Sequence, residues 1–483
     1  MALKLRNVLE KVDIVSEASD LDMEISGVCY DTRALIAGNI FVAIKGYETD
    51  GHKYIDTAAQ NGAACIICED APKVDVPYVL VKDSRKALSL ISIAWFQNPA
   101  EKLRMIGVTG TNGKTTVTSL LKCVIEKCTG AKSGLIGTSG IMIGDVEIPA
   151  EHTTPESYEL QKILAMMVDA GCEYAVMEVS SHALELGRVH GIEFEVGVYT
   201  NLSQDHLDFH GTMEAYARAK SALFAISQKS AINIDDSYAD VMLEKAAGSV
   251  FTYAIDDDSA DLVGKDVKLL SDRISFCALM IGELVRFGIP IPGMFSVYNA
   301  LAVVSAAFLL GLDINRVSEE LPLCECVKGR AEVVPTDSDF TVIIDYAHTP
   351  DALEKIINAV RGSATGRVIT LFGCGGDRDS TKRPLMGEIA GKYSDFVIVT
   401  SDNPRTEKPD AIITDILEGM KLTKAPYEVI ENRKEAIFWS LENAKPGDVV
   451  ILAGKGHEDY QVIGKEKFHF DEREIVAEYF GKT

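Results

Sequence analysis

Ten residues constrain this chain more than any others: Gly107-Val-Thr-Gly-Thr-Asn-Gly-Lys-Thr-Thr116. The short apolar run at 104–109 has the character of a buried strand, and 117–125 carries apolar residues at helical spacing, so the glycines join a strand to a helix. Backbone N–H groups in such a loop point at an anion, the helix start adds partial positive charge, and glycine lets the backbone approach without a Cβ in the way. The stretch therefore reads as a phosphate cradle in which Lys114 reaches the β- and γ-phosphates and Thr115 or Thr116 ligates magnesium. It is a variant of the ordinary loop. The template glycine five residues before Gly113 falls at Val108, and the glycines present are Gly107 and Gly110.

A chain of 483 residues is too long for one core, and two to four domains are expected, of which we read three. No apolar run is long enough to span a bilayer, and the first ten residues alternate charged and apolar types as a helix does, without the uninterrupted core of a signal peptide. The expectation is a cytoplasmic protein with no membrane insertion. A net charge of −24 leaves no basic face for duplex nucleic acid, so no nucleic-acid partner is expected. The ten cysteines include Cys65-Ile-Ile-Cys68 and Cys324-Glu-Cys326, neither with a second half at zinc spacing, and both pairs read as structural thiols.

Along the chain, residues 1–98 form a small α/β unit with strands at 38–44, 64–68 and 78–81 and a helix over 83–96. Residues 99–327 alternate strands at 133–137, 174–179, 196–200 and 230–234 with helices, which predicts a mostly parallel, doubly wound sheet. Ligands of such sheets sit at the C-terminal strand ends. Polar motifs recur at those ends: Thr153-Thr-Pro155, Glu178-Val-Ser-Ser-His-Ala-Leu-Glu185 and Thr200-Asn-Leu-Ser-Gln-Asp-His-Leu-Asp-Phe-His-Gly211. Glu178 and His206 supply a carboxylate and an imidazole suited to divalent cations around a nucleotide. From 328 onward the pattern restarts, with apolar strands at 342–345, 367–372, 396–400 and 449–453, each running into a polar loop. Gly373-Cys-Gly-Gly-Asp lacks the spacing of a dinucleotide fingerprint, which argues against a nicotinamide enzyme.

Together these motifs resemble the Mur ligase family, ATP-dependent amide-forming enzymes of bacterial cell-wall precursor synthesis. Gly110-Thr-Asn-Gly-Lys-Thr-Thr116 matches the family's ATP loop and Glu178-Val-Ser-Ser-His its magnesium strand end. Asn201-Leu-Ser-Gln-Asp-His-Leu-Asp, Asn299 in Val-Tyr-Asn-Ala, Gly329-Arg330 and Asp345-Tyr-Ala-His348 match the remaining signatures. One departure is Ser296, where the family often has asparagine. The resemblance implies three α/β domains: a UDP-binding domain over 1–98, a central P-loop ATPase-like doubly wound domain over 99–327, and a Rossmann-like amino-acid-binding domain over 328–483.

The same resemblance implies ATP and Mg2+ as cofactors. It places Gly110, Thr111, Asn112, Gly113, Lys114, Thr115, Thr116, Asn299, Arg330 and Asp345 around ATP, and Thr115, Glu178, His206 and a carbamylated Lys220 around the metal. Lys114, Glu178, His206 and Lys220 are the catalytic candidates. UDP-N-acetylmuramoyl-L-Ala-D-Glu is expected at Thr32, Arg33, Gly46, His52, Thr153, Thr154, Ser181 and Arg188. Within the family Asp402-Asn-Pro-Arg405 goes with meso-diaminopimelate as the added amino acid, and Arg378, Asp402, Asn403, Arg405, Gly454 and Glu458 match its contacts. Diaminopimelate differs from lysine by a distal carboxylate, and a planar guanidinium takes a carboxylate through two parallel hydrogen bonds, which is the part expected of Arg405. A monomer is expected. The competing readings are a lysine-adding relative, a folylpolyglutamate-type ligase and, from another class, a nucleotide-dependent switch. The folate type has no use for a UDP-like N-terminal domain, and a switch leaves Lys220, Arg378 and Glu458 unexplained.

Overall fold

Apolar runs that alternate with amphipathic ones return the chain repeatedly to the same end of a sheet, and parallel strands follow. The computed structural model describes residues 3–46, 49–150, 152–280, 282–324, 327–362 and 364–481. The chain packs as two compact units, Met1–Tyr253 with Ser305–Asp313, and Ala254–Val304 with Ile314–Thr483.

The first unit opens with a five-stranded sheet in the order Ile14–Ala18, Tyr78–Val81, Cys65–Cys68, Asn39–Val42, Gly27–Cys29, antiparallel only at the first pair. Asp83 caps the helix Ser84–Trp95 by accepting from the Arg85 and Lys86 N–H groups, and the helix buries Ala87, Leu88 and Ile91 among the sheet's Ile40, Val42, Ile67 and Val79. Ile14–Ala18 escapes sequence reading because all five residues are exposed, so no alternation marks it. The expected first helix is confined to Leu5–Leu9 and follows a two-residue strand, Leu3–Lys4.

The larger sheet of this unit runs Val146–Ile148, Gly140–Ile143, Ser133–Gly137, Tyr174–Glu178, Arg104–Thr109, Phe194–Tyr199, Ser227–Asn233, Ser249–Ala254. The strands from Ser133–Gly137 onward are parallel, and the first two add an antiparallel edge hairpin. The glycine-rich loop thus leaves a central strand, flanked by the strand that ends at Glu178 and the one that delivers Thr200. Chain order reverses around this strand, which is where ligands of open α/β sheets bind.

The second unit contains an antiparallel meander, Leu262–Leu269, Ile274–Met280 and Glu283–Ile289, that the sequence reading had missed. Its main sheet runs Glu332–Val334, Thr341–Asp345, Val449–Ala453, Val368–Phe372, Phe396–Val399, Tyr427–Val429, parallel except at Glu332–Val334. The four central strands bury nearly every side chain and so carry the continuous apolar runs by which they were recognised. Tyr427–Val429 is exposed throughout and carries no such run.

Behind this sheet Arg433 and Glu472 are fully buried together, with Arg433 Nε donating to Glu472 Oε1 at 2.8 Å and Nη2 donating to the Ala453 carbonyl at 2.8 Å. Burial raises the Glu472 carboxyl above its ordinary range, against the Arg433 charge that lowers it. Removing one partner leaves the other charge buried alone, so Glu472→Ala is expected to lose about 3–5 kcal/mol. Urea unfolding followed by circular dichroism checks this.

Cys65 and Cys68 are buried free thiols, pushed by burial up to about 11 and about 12 respectively, in line with an inert structural role. Cys324 is disulfide-bonded rather than a thiol, which spacing along the chain does not reveal, and Glu325 and Cys326 lie outside the described residues. Among the described residues no helix is long and apolar enough to cross a membrane.

Candidate active site

The glycine-rich loop owes its shape to the neighbouring strand end. Thr111 N donates to the Asn201 carbonyl (2.8 Å) and Asn112 N to Asn201 Oδ1 (3.1 Å), while Thr200 Oγ1 and Asn201 Nδ2 donate to the Asn112 carbonyl at 2.7 and 3.1 Å. Gly110 has φ +147°, and a Cβ there overlaps the Thr200 hydroxyl. Gly113, at φ +86°, starts the helix Lys114–Thr129 and, being glycine, offers the first N–H groups of the helix no capping side chain. Thr115 and Thr116 occupy its first turn. Lys114 Nζ donates to the Gly110 and Thr111 carbonyls, both at 2.9 Å, and so folds back over the loop. Gly110→Ala is expected to weaken nucleotide binding more than about tenfold, because the loop must move to relieve both the overlap and the positive φ; calorimetric titration with ADP reads it.

Lys220 lies on the helix Met213–Ala225 and is only 1 % exposed, so it is no surface lysine. Its Nζ donates to the Gly110 carbonyl at 2.8 Å, sharing that oxygen with Lys114, and sits 4.5 Å from the centre of the Tyr216 ring. Burial, with the Lys114 charge adding to it, holds the Lys220 amine well below the usual lysine range.

Glu178 is buried at its strand end, its Oε1 accepting from Thr138 N (2.9 Å) and its Oε2 from Thr138 Oγ1 (3.3 Å). His206 is half exposed, left-handed at φ +51°, and paired with its neighbour Asp205 at 3.4 Å. Its ring meets His182 edge-on, and no hydrogen bond or ion pair joins it to Glu178 or Lys220 among the described residues. Among the described residues no group of three His, Cys, Asp or Glu side chains is arranged to hold a metal. Hard cations prefer oxygen. The Glu178 carboxylate and the threonine hydroxyls fit such an ion, the His206 imidazole fits it poorly, and the Lys220 amine fits it only after conversion to a carbamate.

Beside Glu178 the candidate peptide residues converge. Thr154 Oγ1 donates to the Glu178 carbonyl (2.8 Å) and accepts from Ser180 N (3.1 Å), Thr153 Oγ1 lies 3.0 Å from Thr138 Oγ1, and Arg188 Nη1 donates to the Thr154 carbonyl (2.8 Å). Ser181 is buried, 2.9 Å from His210 Nε2. Glu156 bridges Arg188 (3.4 Å) to Arg85 (3.2 Å), and Arg85 Nε donates to the Lys45 carbonyl (2.7 Å), which hangs the Gly46 loop from the same cluster. A cavity of about 460 Å³ opens there, lined by Lys45, Gly46, Glu185, Leu186, Phe209, His210 and Ala215. His52 stands differently. Its Nε2 accepts from Glu69 N (2.9 Å), so the neutral ring carries its proton on Nδ1 and donates to Asp50 (2.7 Å), leaving no ring nitrogen for a ligand. Thr32 and Arg33 lie on a turn where Arg33 pairs with Asp31, and Tyr47 and Glu48, which follow Gly46 in the chain, lie outside the described residues.

In the second unit four strand ends meet. Asn403 Nδ2 donates to Glu458 Oε2 (2.8 Å) and Asn403 Oδ1 accepts from Val462 N (2.9 Å). Arg405, left-handed at φ +50°, is held by N–H donation to the Val462 carbonyl (3.1 Å) and by Gly464 N donating to its own carbonyl (2.7 Å). Its Nη1 donates to the Gly376 carbonyl at 2.8 Å. Arg378 is exposed, and its Nη1 donates to the Asp377 carbonyl (3.2 Å). Gly454, at φ +117°, leaves room for Asp402, whose Oδ2 a Cβ would approach to 3.0 Å. Asp345 accepts from Ala331 N (2.7 Å) and Ala347 N (2.8 Å), which pins the turn carrying Arg330, and desolvation raises its carboxyl. Asn299 is buried on the helix Met294–Leu309.

Thr138, Tyr216 and Glu156, which the sequence did not single out, belong to this framework, as do Asn201, Arg85 and Lys455, which lie in polar motifs of the sequence but had no role assigned to them. Thr138 and Lys455 each follow a parallel strand, and that placement is the one signal by which they were open to discovery.

Three family models match the chain: one described as Mur ligase family, catalytic domain over residues 24–95, one as Mur ligase middle domain over 108–307, and one as Mur ligase, glutamate ligase domain over 329–456. A protein of Caldanaerobacter subterraneus named UDP-N-acetylmuramoyl-L-alanyl-D-glutamate--2,6-diaminopimelate ligase is 50% identical over 96% of both chains. One of the same name from Clostridioides difficile is 45% identical over 99% of this chain and 100% of its own. A solved structure bearing that name superimposes with a TM-score of 0.77 at 33% identity, covering 100% of this chain and 99% of the other.

Proposed function

The chain belongs to the Mur ligase family, and on that premise we propose that it joins meso-diaminopimelate to the D-glutamate side-chain carboxylate of UDP-N-acetylmuramoyl-L-Ala-D-Glu, with ATP as the energy source. The observation that carries the choice of amino acid is the placement of a guanidinium, Arg405, on the same sheet edge as two carboxylates, Asp402 and Glu458. The distal end of diaminopimelate carries one carboxylate and one ammonium, and that sheet edge offers a partner to each. Lysine has only the ammonium.

A carboxylate has no leaving group, so the reaction needs two steps. The substrate carboxylate oxygen attacks the γ-phosphorus of ATP, releasing ADP and giving an acyl phosphate. The diaminopimelate amine then attacks the acyl carbon, and the tetrahedral intermediate expels inorganic phosphate as the amide forms. The protein orients the three reactants and stabilises charge. Lys114, the helix start at Gly113 and the loop N–H groups bind the β- and γ-phosphates in this reading. Thr153, Thr154, Ser181 and Arg188, with the cavity beside Gly46, take the UDP-muramoyl dipeptide. Glu178 and Thr115 are the residues that hold Mg2+, which supplies positive charge against the transferring phosphoryl group.

Lys220 is the residue we assign to carbamylation. Carbon dioxide reacts with a neutral amine, and burial favours that form: the Nζ–C bond forms, a proton leaves to solvent, and the product is an anion able to join the cation's oxygen ligands. Phosphate release with ATP, Mg2+ and UDP-N-acetylmuramoyl-L-Ala-D-Glu, measured with meso-diaminopimelate and with L-lysine, tests the proposal. Release with diaminopimelate and little with lysine is expected. Equal release with lysine overturns the amino-acid assignment, and release independent of any amino acid returns the reading to a nucleotide switch.

A further inference from the structure

Lys455 is 0 % exposed, yet it lies in the middle of the amino-acid pocket's polar residues. Its Nζ is 3.2 Å from Asn403 Oδ1 and 3.4 Å from both Asp402 Oδ1 and Glu458 Oε2. An ammonium has three N–H donors, so these oxygens account for all of them. The Phe470 and Tyr460 rings stand 5.7 and 6.0 Å from the Nζ and close the remaining approach. A lysine this deep is a rare expense in desolvation unless it is paired.

The pairing is directional. Lys455 takes one oxygen of each carboxylate, and Asn403 adds a second bond to the same Glu458 Oε2. Asp402 Oδ2 and Glu458 Oε1 accept no hydrogen bond among the described residues. The Asn403 amide cannot turn, because Oδ1 accepts from Lys455 and Val462 N while Nδ2 donates to Glu458. Two carboxylates close together repel, and the buried Lys455 ammonium lies between them, engaging one oxygen of each.

Resting on the amino-acid assignment above, we infer that Lys455 is a positioning residue: it fixes Asp402 through Oδ1 and Glu458 through Oε2, so that their other oxygens, Oδ2 and Oε1, receive the distal ammonium of the incoming amino acid. It touches neither ATP nor the reacting carboxylate in this scheme. Its loss therefore acts on recognition of the distal amine and leaves nucleotide affinity alone.

The test compares meso-diaminopimelate with L-2-aminopimelate, which keeps the distal carboxylate and lacks the distal amine. In the unaltered enzyme KM for aminopimelate is expected to be higher by about tenfold or more, the worth of one charge-assisted contact pair. In Lys455→Met the diaminopimelate KM rises about tenfold, the two KM values converge, and KM for ATP stays within about twofold. A role confined to stability raises both KM values together and leaves their ratio unchanged, which overturns the inference. Lys455→Gln, which keeps two N–H donors without the charge, repeats the measurement if the methionine variant fails to bind ADP. A structure of the unaltered enzyme with diaminopimelate needs no variant: the distal nitrogen is expected about 3 Å from Asp402 Oδ2 and Glu458 Oε1, and a distal nitrogen away from both carboxylates refutes the assignment. If the unaltered enzyme does not use diaminopimelate at all, it is the proposed function that has failed.

Discussion

Lys220→Met is expected to leave a folded protein that still binds ADP and has lost roughly a thousandfold of its ligase turnover, the scale seen when a group that neutralises phosphoryl-transfer charge is removed. Lys220 reaches the Gly110 carbonyl from the helix Met213–Ala225, and Lys114 donates to the same oxygen, so the loop keeps that second contact in the variant. Bicarbonate labelled with carbon-13 is expected to give a carbamate resonance in the unaltered protein and none in the variant. Full turnover by the variant overturns the role.

The same substitution makes an opposite prediction for stability. The Lys220 pKa is lowered in the fold, so between that lowered value and the ordinary lysine value of about 10.4 the unfolded chain binds more protons than the folded one. Stability due to this group therefore rises with pH and is lowest where the unfolded amine is fully charged. In carbon-dioxide-free buffer Lys220→Met is expected to melt higher than the parent at pH 7, with the gap narrowing toward pH 10. A residue that is better removed for stability and needed for turnover is one retained for function.

Arg405→Met carries the second large effect. Its guanidinium is aimed by Nη1 donation to the Gly376 carbonyl, and its left-handed backbone is held by bonds to Val462 and Gly464, so the side chain is placed before any ligand arrives. Nε and Nη2 donate to nothing among the described residues, and two such N–H groups are what a carboxylate's fork requires. Losing that pair is expected to cost about 2–4 kcal/mol, or about thirtyfold to a thousandfold in kcat/KM for diaminopimelate. The value for L-lysine should change little, because lysine has no distal carboxylate to lose, and the preference between the two amino acids collapses. An equal loss with both would mean that Arg405 supports the hairpin Tyr460–Ile463 and Glu466–His469 rather than the ligand.

How much of this was legible beforehand follows from where each residue's reason lies. The strands Tyr78–Val81, Ser133–Gly137 and Val449–Ala453 were read to the residue, because buried parallel strands need continuous apolar runs. The strands Ile14–Ala18 and Tyr427–Val429 are exposed throughout and left no such mark. The loop's nucleotide reading came from Gly113, Lys114 and Thr115, whose chemistry is local. Lys220 could be singled out only through likeness to a family, since a lysine in a helix looks the same whether it faces water or a core.

What the sequence determined by itself is therefore the strand–loop–helix chemistry at 107–116, the parallel character of both large sheets, and the residue types gathered at their strand ends. These depend on neighbours a few positions away, and short-range spacing encodes them. Tertiary structure alone decided that Lys220 and Lys114 share one carbonyl, that Thr138 carries the Glu178 carboxylate, that both nitrogens of His52 are already engaged, and that Lys455 sits between Asp402 and Glu458. Each of these joins residues through space, and burial, which holds the Lys220 amine below the usual lysine range, is a property of the packed fold and not of any local stretch.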